Sequence, residues 1–353
     1  MPRIRGFSSR QRRGVAALLL ALLPGAIPAA AQQAVTLPYF NAPAEGAPIR
    51  RPPTLGLAIG GAVHRAVMDT GSTGVVIAAS SIPGFAALEP LGTGQITYTS
   101  SGRVMRGVHV RTPVTVVGAD GTRLTTRPIV VLAVTRIDCL ATARNCVPVE
   151  APRRVAMLGI GFARSRHAGT GPERNPFLNP AGMEQAGRGY VVGRRAVKVG
   201  LSPDDKAGFS LVKLQPDAAT GDFAPTPACL ALDQRTPPAC GSLLMDTGVT
   251  TMFLSLPDAQ TSGLLARDRR GEPVLAAGTT LAVSPSEGAS TPAYGFTVGD
   301  RANPVAPERV IVVGGGTRPP FVNTTVRALN AFDYLFDADA GEVGFRPLSA
   351  IRP

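Results

Sequence analysis

The chain is poor in the residues on which many catalytic classes depend. Its 353 residues include no Trp, three His and four Cys, and aromatic residues make up only 5%. The histidines, His64, His109 and His167, are scattered, so metal hydrolases and Ser-His or Cys-His catalysis are poorly supported. No GxSxG motif or P-loop occurs, and the glycine clusters at 159–161 and 314–316 lack the following helical pattern that a dinucleotide site needs.

Charged residues are also scarce, at 17%, whereas 44% of the residues are hydrophobic. A chain this apolar can bury a core, which excludes wholesale disorder. The 40 Gly and 33 Pro follow no collagen-like period and favour many short β elements joined by tight turns. The net charge of +12 comes from single Arg residues rather than from a Lys/Arg block with interleaved aromatics, so no nucleic-acid partner is expected.

No apolar run is long enough to cross a membrane, so no membrane span is expected. The run at 15–23 follows five arginines and precedes three alanines at 29–31, which is the layout of a secretory signal peptide over residues 1–31. The adjacent Arg12-Arg13 pair makes a twin-arginine signal an alternative, and a membrane anchor is a less favoured one. Cleavage would remove five arginines and lower the net charge from +12 to +7. We therefore predict an exported protein, periplasmic or secreted, that is a monomer.

The four cysteines form two local pairs in the sequence, Cys139 with Cys146 and Cys229 with Cys240. Four cysteines allow three connectivities, of which the two local disulfides are the economical one, and an exported protein can keep them oxidised. A zinc site is the rival, but it would need CxxC-like spacing or nearby histidines, and neither is present. We predict two disulfides, no metal and no other cofactor.

A duplicated segment is the most informative feature of the chain. Residues 66–77 read AVMDTGSTGVVI and residues 243–254 read LLMDTGVTTMFL. The two aspartates, Asp69 and Asp246, are 177 residues apart, about half the length expected after cleavage. One Asp-Thr-Gly is usually a turn. Two of them, each behind an apolar strand and each in its own half, are a strong signal of duplicated function.

The residues around each aspartate predict how the two loops would meet. Gly71 and Gly248 allow the chain to turn just past the carboxylate. Thr70 and Thr247 can join the loops through hydroxyl-to-backbone hydrogen bonds. Two carboxylates brought that close cannot both ionise, so they would share one proton. One member would then activate water as a base while the other polarises an acyl oxygen as an acid.

This arrangement resembles the pepsin-like aspartic proteases, and specifically a bacterial exported type. Residues 94–117 look like the flap hairpin of that family, in which Tyr98, Thr99 and Ser100 would cover the substrate. The strand AMLGIG at 156–161 and the hairpin at 332–347 also match the family's pattern. The resemblance implies an all-β, two-lobed fold with the active site in the cleft between the lobes. The N-terminal lobe would cover 32–204 and the C-terminal lobe 205–353.

The chain departs from the family pattern at four places. Val249 stands where a hydroxyl residue is usual, whereas Ser72 can donate to Asp69, so we expect Asp246 to lack a donor and the pair's upper pKa to rise. Asn323 stands where a glycine is usual, and we expect it to cap a helix over TTVRALNA. Thr99 replaces a glycine beside the flap tyrosine, and no Trp exists to hydrogen-bond that tyrosine.

The leading prediction is an exported aspartic endopeptidase in which Asp69 and Asp246 act on a lytic water. Thr70, Gly71, Ser72, Thr247 and Gly248 would position them, and the substrate would be an extended polypeptide. Two alternatives stay open, a weak or inactive peptide-binding module on the same fold and a structural β-protein of the envelope. Runs such as TLGLAI at 54–59 predict further strands, and the polar stretch 164–188 is predicted to be a surface loop.

Overall fold

A computed structural model of the protein describes residues 34–99, 101–143, 146–164, 170–285, 294–314 and 318–348. The predicted signal peptide and Ser100 lie outside these residues. Within them the chain is mostly β, as predicted, and its helices are single turns of three to five residues. No helix among the described residues has the length and apolar character needed to cross a membrane.

The first half of the chain contributes thirteen strands, and most follow the apolar or alternating runs seen in the sequence. They are β1 (Val35–Pro38), β2 (Thr54–Ala58), β3 (His64–Asp69), β4 (Thr73–Ala78), β5 (Pro90–Tyr98), β6 (Arg103–Thr112), β7 (Thr115–Val117), β8 (Arg123–Thr125), β9 (Ile129–Cys139), β10 (Val149–Glu150), β11 (Ala156–Ile160), β12 (Gly187–Val192) and β13 (Ala196–Leu201). Four short 3₁₀ helices accompany them, at Ala79–Ser81, Phe85–Ala87, Pro172–Arg174 and Pro203–Lys206.

The second half contributes fourteen strands. They are β14 (Ser210–Lys213), β15 (Pro216–Asp217), β16 (Asp222–Phe223), β17 (Thr226–Leu232), β18 (Ala239–Leu244), β19 (Thr251–Ser255), β20 (Leu265–Arg267), β21 (Pro273–Leu275), β22 (Thr280–Ser284), β23 (Tyr294–Thr297), β24 (Arg309–Val312), β25 (Phe321–Asn323), β26 (Phe332–Asp337) and β27 (Glu342–Pro347). A one-turn α-helix at Asp258–Thr261 and a 3₁₀ helix at Val326–Asn330 complete the described elements.

Two large sheets repeat one arrangement of strands. In the ten-stranded sheet, β11 lies between β3 and β4, parallel to the first and antiparallel to the second. In the nine-stranded sheet, β25 lies between β18 and β19 with the same orientations. The strand that leaves each Asp-Thr-Gly loop then pairs in parallel with β9 in one sheet and β24 in the other. The duplication in the sequence is therefore a duplication of the local fold around each aspartate.

Strand β9 shows why these sheets are buried on both faces. Its residues Val131 and Ala133 pack into the main core, while Leu132 and Val134 pack into a second cluster on the opposite face. Successive side chains of a strand point to opposite faces, so an unbroken apolar run is needed to fill both. The sequence RPIVVLAV meets that requirement, and the strand predicted there is confirmed.

A six-stranded sheet contains strands from both ends of the chain, in the order β1-β13-β12-β26-β27-β14. Its aromatic residues form part of the core, where the rings of Phe162 and Phe336 stack with their centroids 4.5 Å apart. The predicted boundary between residues 204 and 205 falls in the 3₁₀ helix Pro203–Lys206, between β13 and β14. The division into lobes at that point stays a prediction.

Two local predictions need correction. The helix expected over TTVRALNA is a 3₁₀ turn at Val326–Asn330, and its N-cap is Thr325, whose Oγ1 accepts from the backbone N–H of Arg327. Asn323 is the last residue of β25 and does not cap it. The stretch 164–188 is not simply a surface loop, because Asn175 and Phe177 within it are 0% and 1% exposed. The polar composition of this segment predicts exposure, although part of it packs on the core.

Both predicted disulfides are confirmed. Cys229 and Cys240 lie directly opposite each other on β17 and β18. Cys139 ends β9, and its bond to Cys146 closes a short loop. The backbone N–H of Leu140 in that loop donates to the carbonyl of Gly102, at 2.8 Å, so the loop lies against the turn between β5 and β6.

A buried asparagine joins distant parts of the chain and provides a test of the fold. The Oδ1 of Asn330 accepts from the N–H of Ile49, and its Nδ2 donates to the carbonyls of Ile49 and Pro304, each at 2.9 Å. We expect Asn330→Leu to lower the free energy of unfolding by about 2–4 kcal/mol, because buried backbone groups at Ile49 lose their partners. Urea unfolding of both proteins measures it. Asn330→Asp keeps the acceptor for Ile49 but turns a carboxylate oxygen toward the two carbonyls, so it should be destabilising as well, and a leucine variant within ~0.5 kcal/mol of the parent would contradict this role.

Candidate active site

The two Asp-Thr-Gly loops meet, although they begin on different sheets. Asp69 ends β3 and Asp246 follows β18, and each is 6% exposed. The residues before them, Met68 and Met245, are buried in the core and anchor the loops. The carboxyl group of Asp246 lies against Gly71 of the opposite loop and that of Asp69 lies against Gly248, so the two acids are close neighbours.

Four hydrogen bonds between the threonines and the opposite loop hold the pair in register. The Thr70 hydroxyl donates to the Met245 carbonyl at 2.7 Å, and the Thr247 hydroxyl donates to the Met68 carbonyl at 2.8 Å. Each hydroxyl also accepts from the backbone N–H of the other threonine, at 3.0 and 3.1 Å. These bonds are symmetric and fully buried, so neither loop can shift without leaving polar groups of the other unpaired.

The two glycines have a role beyond the turn that the sequence predicts. The chain turns at Gly71 and Gly248, yet neither has the left-handed backbone conformation that favours glycine. A Cβ added to Gly71 would lie 2.5 Å from the carboxyl carbon of Asp246, and one added to Gly248 would lie 2.5 Å from Oδ1 of Asp69. Glycine is required because each loop approaches the other loop's carboxylate too closely for any side chain.

Every oxygen of the pair has a donor. Asp69 accepts from the N–H of Gly71 at 2.7 Å and from the Ser72 hydroxyl at 2.6 Å. Asp246 accepts at Oδ1 from the N–H of Gly248 at 2.8 Å and at Oδ2 from the side-chain Nδ2 of Asn323 at 2.6 Å. The expectation that Asp246 would lack a second donor is therefore wrong. Val249 has no hydroxyl, but Asn323 arrives from β25 instead.

The shared environment changes the titration of the pair. Burial and the negative charge of Asp69 raise the pKa of Asp246 to about 8, and the donors Asn323 and Gly248 offset only part of that rise. Two buried carboxylates in contact cannot both be ionised at low energetic cost, so they keep one proton between them to higher pH than a lone aspartate. The expected rise in pKa is thus present, but its cause is burial and like charge rather than a missing donor.

Of the residues predicted to form the flap, Tyr98 lies near Asp69. Tyr98 ends β5, which pairs with β6 through Tyr98 opposite Arg103. Burial and the charge of Asp69 raise the pKa of the Tyr98 hydroxyl, while the nearby Ser72 hydroxyl lowers it. That hydroxyl is buried without reaching hydrogen-bond geometry to a described residue. Thr99 is exposed, and Ser100 lies outside the described residues.

Apolar packing supports the tyrosine from below. Tyr98 packs against a cluster that includes Val76, Met105 and Ile137, from three neighbouring strands. Strand β6 pairs with β9 along its whole length, up to Arg103 opposite Cys139, so the hairpin has a third strand behind it. The chain has no Trp to hydrogen-bond the tyrosine, and this apolar packing holds it near Asp69.

No group of three or more His, Cys, Asp or Glu in the described part of the chain is placed to hold a metal ion. The sequence had pointed to both aspartates, to the residues of their loops and to Tyr98, but not to Asn323 in its present role or to Thr324. The Thr324 hydroxyl accepts from the backbone N–H of Asp246 at 3.2 Å. Both residues lie in the stretch FVNTT, where the departure from the family's glycine was the signal that something differs.

Comparison with known proteins shows the fold. The chain is similar to an aspartic proteinase from Irpex lacteus, with 13% identity and a TM-score of 0.59 over 90% of this chain and 98% of that one. It is also similar to basic 7S globulin from soybean, with 12% identity and a TM-score of 0.54 over 90% and 96% of the two chains. No family model and no curated protein matches the sequence.

These likenesses confirm the predicted fold class, an all-β, two-lobed fold of the pepsin-like aspartic proteinase kind. Identities this low carry no activity from one protein to another. One similar structure is named a proteinase and the other a globulin, so the shared fold does not assign an activity to this chain. What this chain does must be argued from its own site.

Proposed function

We propose that the protein is an exported aspartic endopeptidase that hydrolyses peptide bonds with a water activated by Asp69 and Asp246. One observation carries the proposal. Two buried carboxyl groups from equivalent loops are held in contact, and neither forms a salt bridge with a described residue. Burying acids against each other is costly, and proteins place strongly perturbed acids mainly where their chemistry is used.

The shared proton determines the chemistry of the pair. With one proton present, the ionised carboxylate accepts a proton from water while the water oxygen attacks the peptide carbonyl carbon. The protonated carboxyl donates its proton to the carbonyl oxygen, which gives a tetrahedral gem-diol. The gem-diol then returns one hydroxyl proton to the second carboxylate, and the first carboxyl protonates the amide nitrogen as the C–N bond breaks. The pair again holds one proton, so it is ready for another cycle.

The surroundings of the pair suit an extended polypeptide as substrate. Thr70 and Thr247 fix the distance between the acids, Gly71 and Gly248 leave room between them, and Ser72 donates to Asp69. Tyr98 and Thr99 would cover a bound peptide from the flap, and a cleft of this kind recognises the peptide largely through its backbone. Two disulfides fit the oxidising compartment to which residues 1–31 would direct the protein.

A second candidate function is a peptide-binding module with little or no turnover. Its support is the similar globulin and the replacement of a hydroxyl by Val249 beside Asp246. Such a protein would bind peptides in the same cleft and leave them intact.

Removing either carboxylate separates the two functions. We expect the mature protein to cleave an unfolded protein substrate, and Asp69→Asn and Asp246→Asn each to lower kcat/KM by at least about 100-fold, because the pair loses an acid or a base. A pepstatin-type inhibitor should block the parent activity. The measurement is peptide release between pH 3 and 8.

Asp222→Asn is the matched control. Asp222 is also buried, at 4% exposed, and its Oδ2 accepts from the N–H of Ala163, a bond that an asparagine oxygen can keep. This variant should retain activity. Peptide binding by the parent protein without cleavage at any pH would favour the binding module, and activity that survives both substitutions in the pair would exclude the proposed mechanism.

The raised pKa predicts where activity ends at high pH. The pair works while it holds one proton, and the pKa of Asp246 is raised to about 8, so the proton stays on until the pH approaches that value. We expect kcat/KM to persist toward neutral pH and to fall through an alkaline limb near pH 8. Circular dichroism at each pH checks that the fold is retained. A limb below about pH 6 in the folded protein would contradict the predicted direction of the shift.

A further inference from the structure

The two aspartates receive their side-chain donors from different parts of the fold. The donor to Asp69 is Ser72, three residues further along the same loop. The position three residues after Asp246 is Val249, which has no donor, and the bond comes from Asn323, 77 residues away in sequence. Both bonds are 2.6 Å long and both end on Oδ2. The two halves thus make the same bond with a hydroxyl in one and an amide in the other.

The local fold shows how a different strand can supply the donor. In the first half, Gly159 of β11 faces Asp69, and a Cβ at that position would lie 2.9 Å from the Ser72 hydroxyl. That strand has no room for a side chain beside the hydroxyl. In the second half, β25 occupies the equivalent place between β18 and β19 and ends at Asn323, whose side chain reaches Asp246.

The unpaired oxygen of the Asn323 amide indicates that the bond from its nitrogen to Asp246 is the main polar contribution of this side chain. Oδ1 of Asn323 is buried and has no hydrogen-bond partner among the described residues. Nδ2 bonds to Asp246, and this is the one side-chain hydrogen bond of Asn323 within the described part of the chain. A buried amide oxygen without a partner is costly, so an apolar residue would suit the packing better. The bond to the carboxylate is what offsets that cost.

We propose that Asn323 is the positioning residue of Asp246, and that its amide keeps Oδ2 of Asp246 free of the proton that the two aspartates share. The proposal deepens the proposed function, on which its catalytic consequence rests. A hydroxyl such as that of Ser72 can rotate and either donate to a carboxylate or accept from a carboxylic acid, whereas an amide nitrogen can only donate. The shared proton is therefore confined to Oδ1 of Asp246 and to Asp69.

The groups that can influence this titration are few. Asp69 faces Asp246 across the contact between the loops and is the charged group acting on it among the described residues. From the flap, the Tyr98 hydroxyl lies on the Asp69 side. Among the residues that the structure describes, Asp246 receives the donors Gly248 from its own loop and Asn323 from β25. A change in its titration on substitution of Asn323 can thus be assigned to the lost amide.

Asn323→Leu tests the proposal, because leucine is of similar size and has no donor. Loss of a charge-assisted hydrogen bond to the ionised form should move the alkaline limb of kcat/KM upward by about one to two pH units. We also expect kcat to fall more than KM rises, since Asp246 loses its orientation. Ser72→Ala, which removes the corresponding bond from Asp69, is the matched control and should shift the limb less, because a hydroxyl can bond either form of the carboxyl group.

A rescue variant distinguishes a donor from mere packing. Val249→Thr introduces a hydroxyl at the position that corresponds to Ser72, so adding it to Asn323→Leu should move the limb back toward that of the parent. A limb that moves to lower pH in Asn323→Leu would mean that the amide oxygen accepts a proton from Asp246, which overturns the proposal. An unchanged limb, or a double variant no closer to the parent than the single one, would overturn it as well.

A readout without turnover separates this proposal from the proposed function. Carbon-13 labelling of the aspartate carboxyl groups allows the pair to be titrated by NMR in the parent and in Asn323→Leu, with Asp246→Asn used to assign its signal. A higher upper titration midpoint in the leucine variant supports the role of Asn323 even if the parent protein cleaves nothing. An equal or lower midpoint refutes that role even if the parent is an active protease.

Discussion

Two buried carboxyl groups in contact cannot both be ionised, and the structure around them is built to hold that state. Desolvation and mutual repulsion would separate the acids unless other interactions fixed their positions. The threonine hydrogen bonds do so by tying each loop to the backbone of the other. The absence of side chains at Gly71 and Gly248 permits the approach, and fixed donors on every oxygen stabilise whichever carboxyl is ionised.

The two halves of the molecule meet this constraint with the same topology and different chemistry. In each half, the aspartate lies at the end of one strand, and a second strand parallel to it lies next to it in the sheet. That second strand separates the first strand from the strand that leaves the Asp-Thr-Gly loop. The first half places a hydroxyl donor in the loop itself, whereas the second half places an amide on the neighbouring strand. The side-chain donor to the aspartate can come from the loop or from the neighbouring strand, because both lie beside the same carboxylate. The two halves thus share the geometry and differ in the donors.

The hairpin of β5 and β6, the predicted flap, depends on packing and pairing rather than on a single polar bond. Tyr98 rests on an apolar cluster, and β6 behind it is paired along its full length with β9. The disulfide loop after β9 touches the turn of the hairpin through the bond from Leu140 to Gly102. Because several weak contacts hold the tyrosine, its position near Asp69 does not require the Trp that the chain lacks.

The sequence by itself determined many of the strands, the two disulfides and the two Asp-Thr-Gly loops, because alternation, cysteine spacing and duplication are local patterns. Only the tertiary structure decided which donor completes Asp246, why Gly71 and Gly248 must lack side chains, and that Phe177 is buried. The physical reason is the same in each case. These properties arise from atoms that meet across the fold, and Asn323 is separated from Asp246 by 77 residues that no local pattern spans.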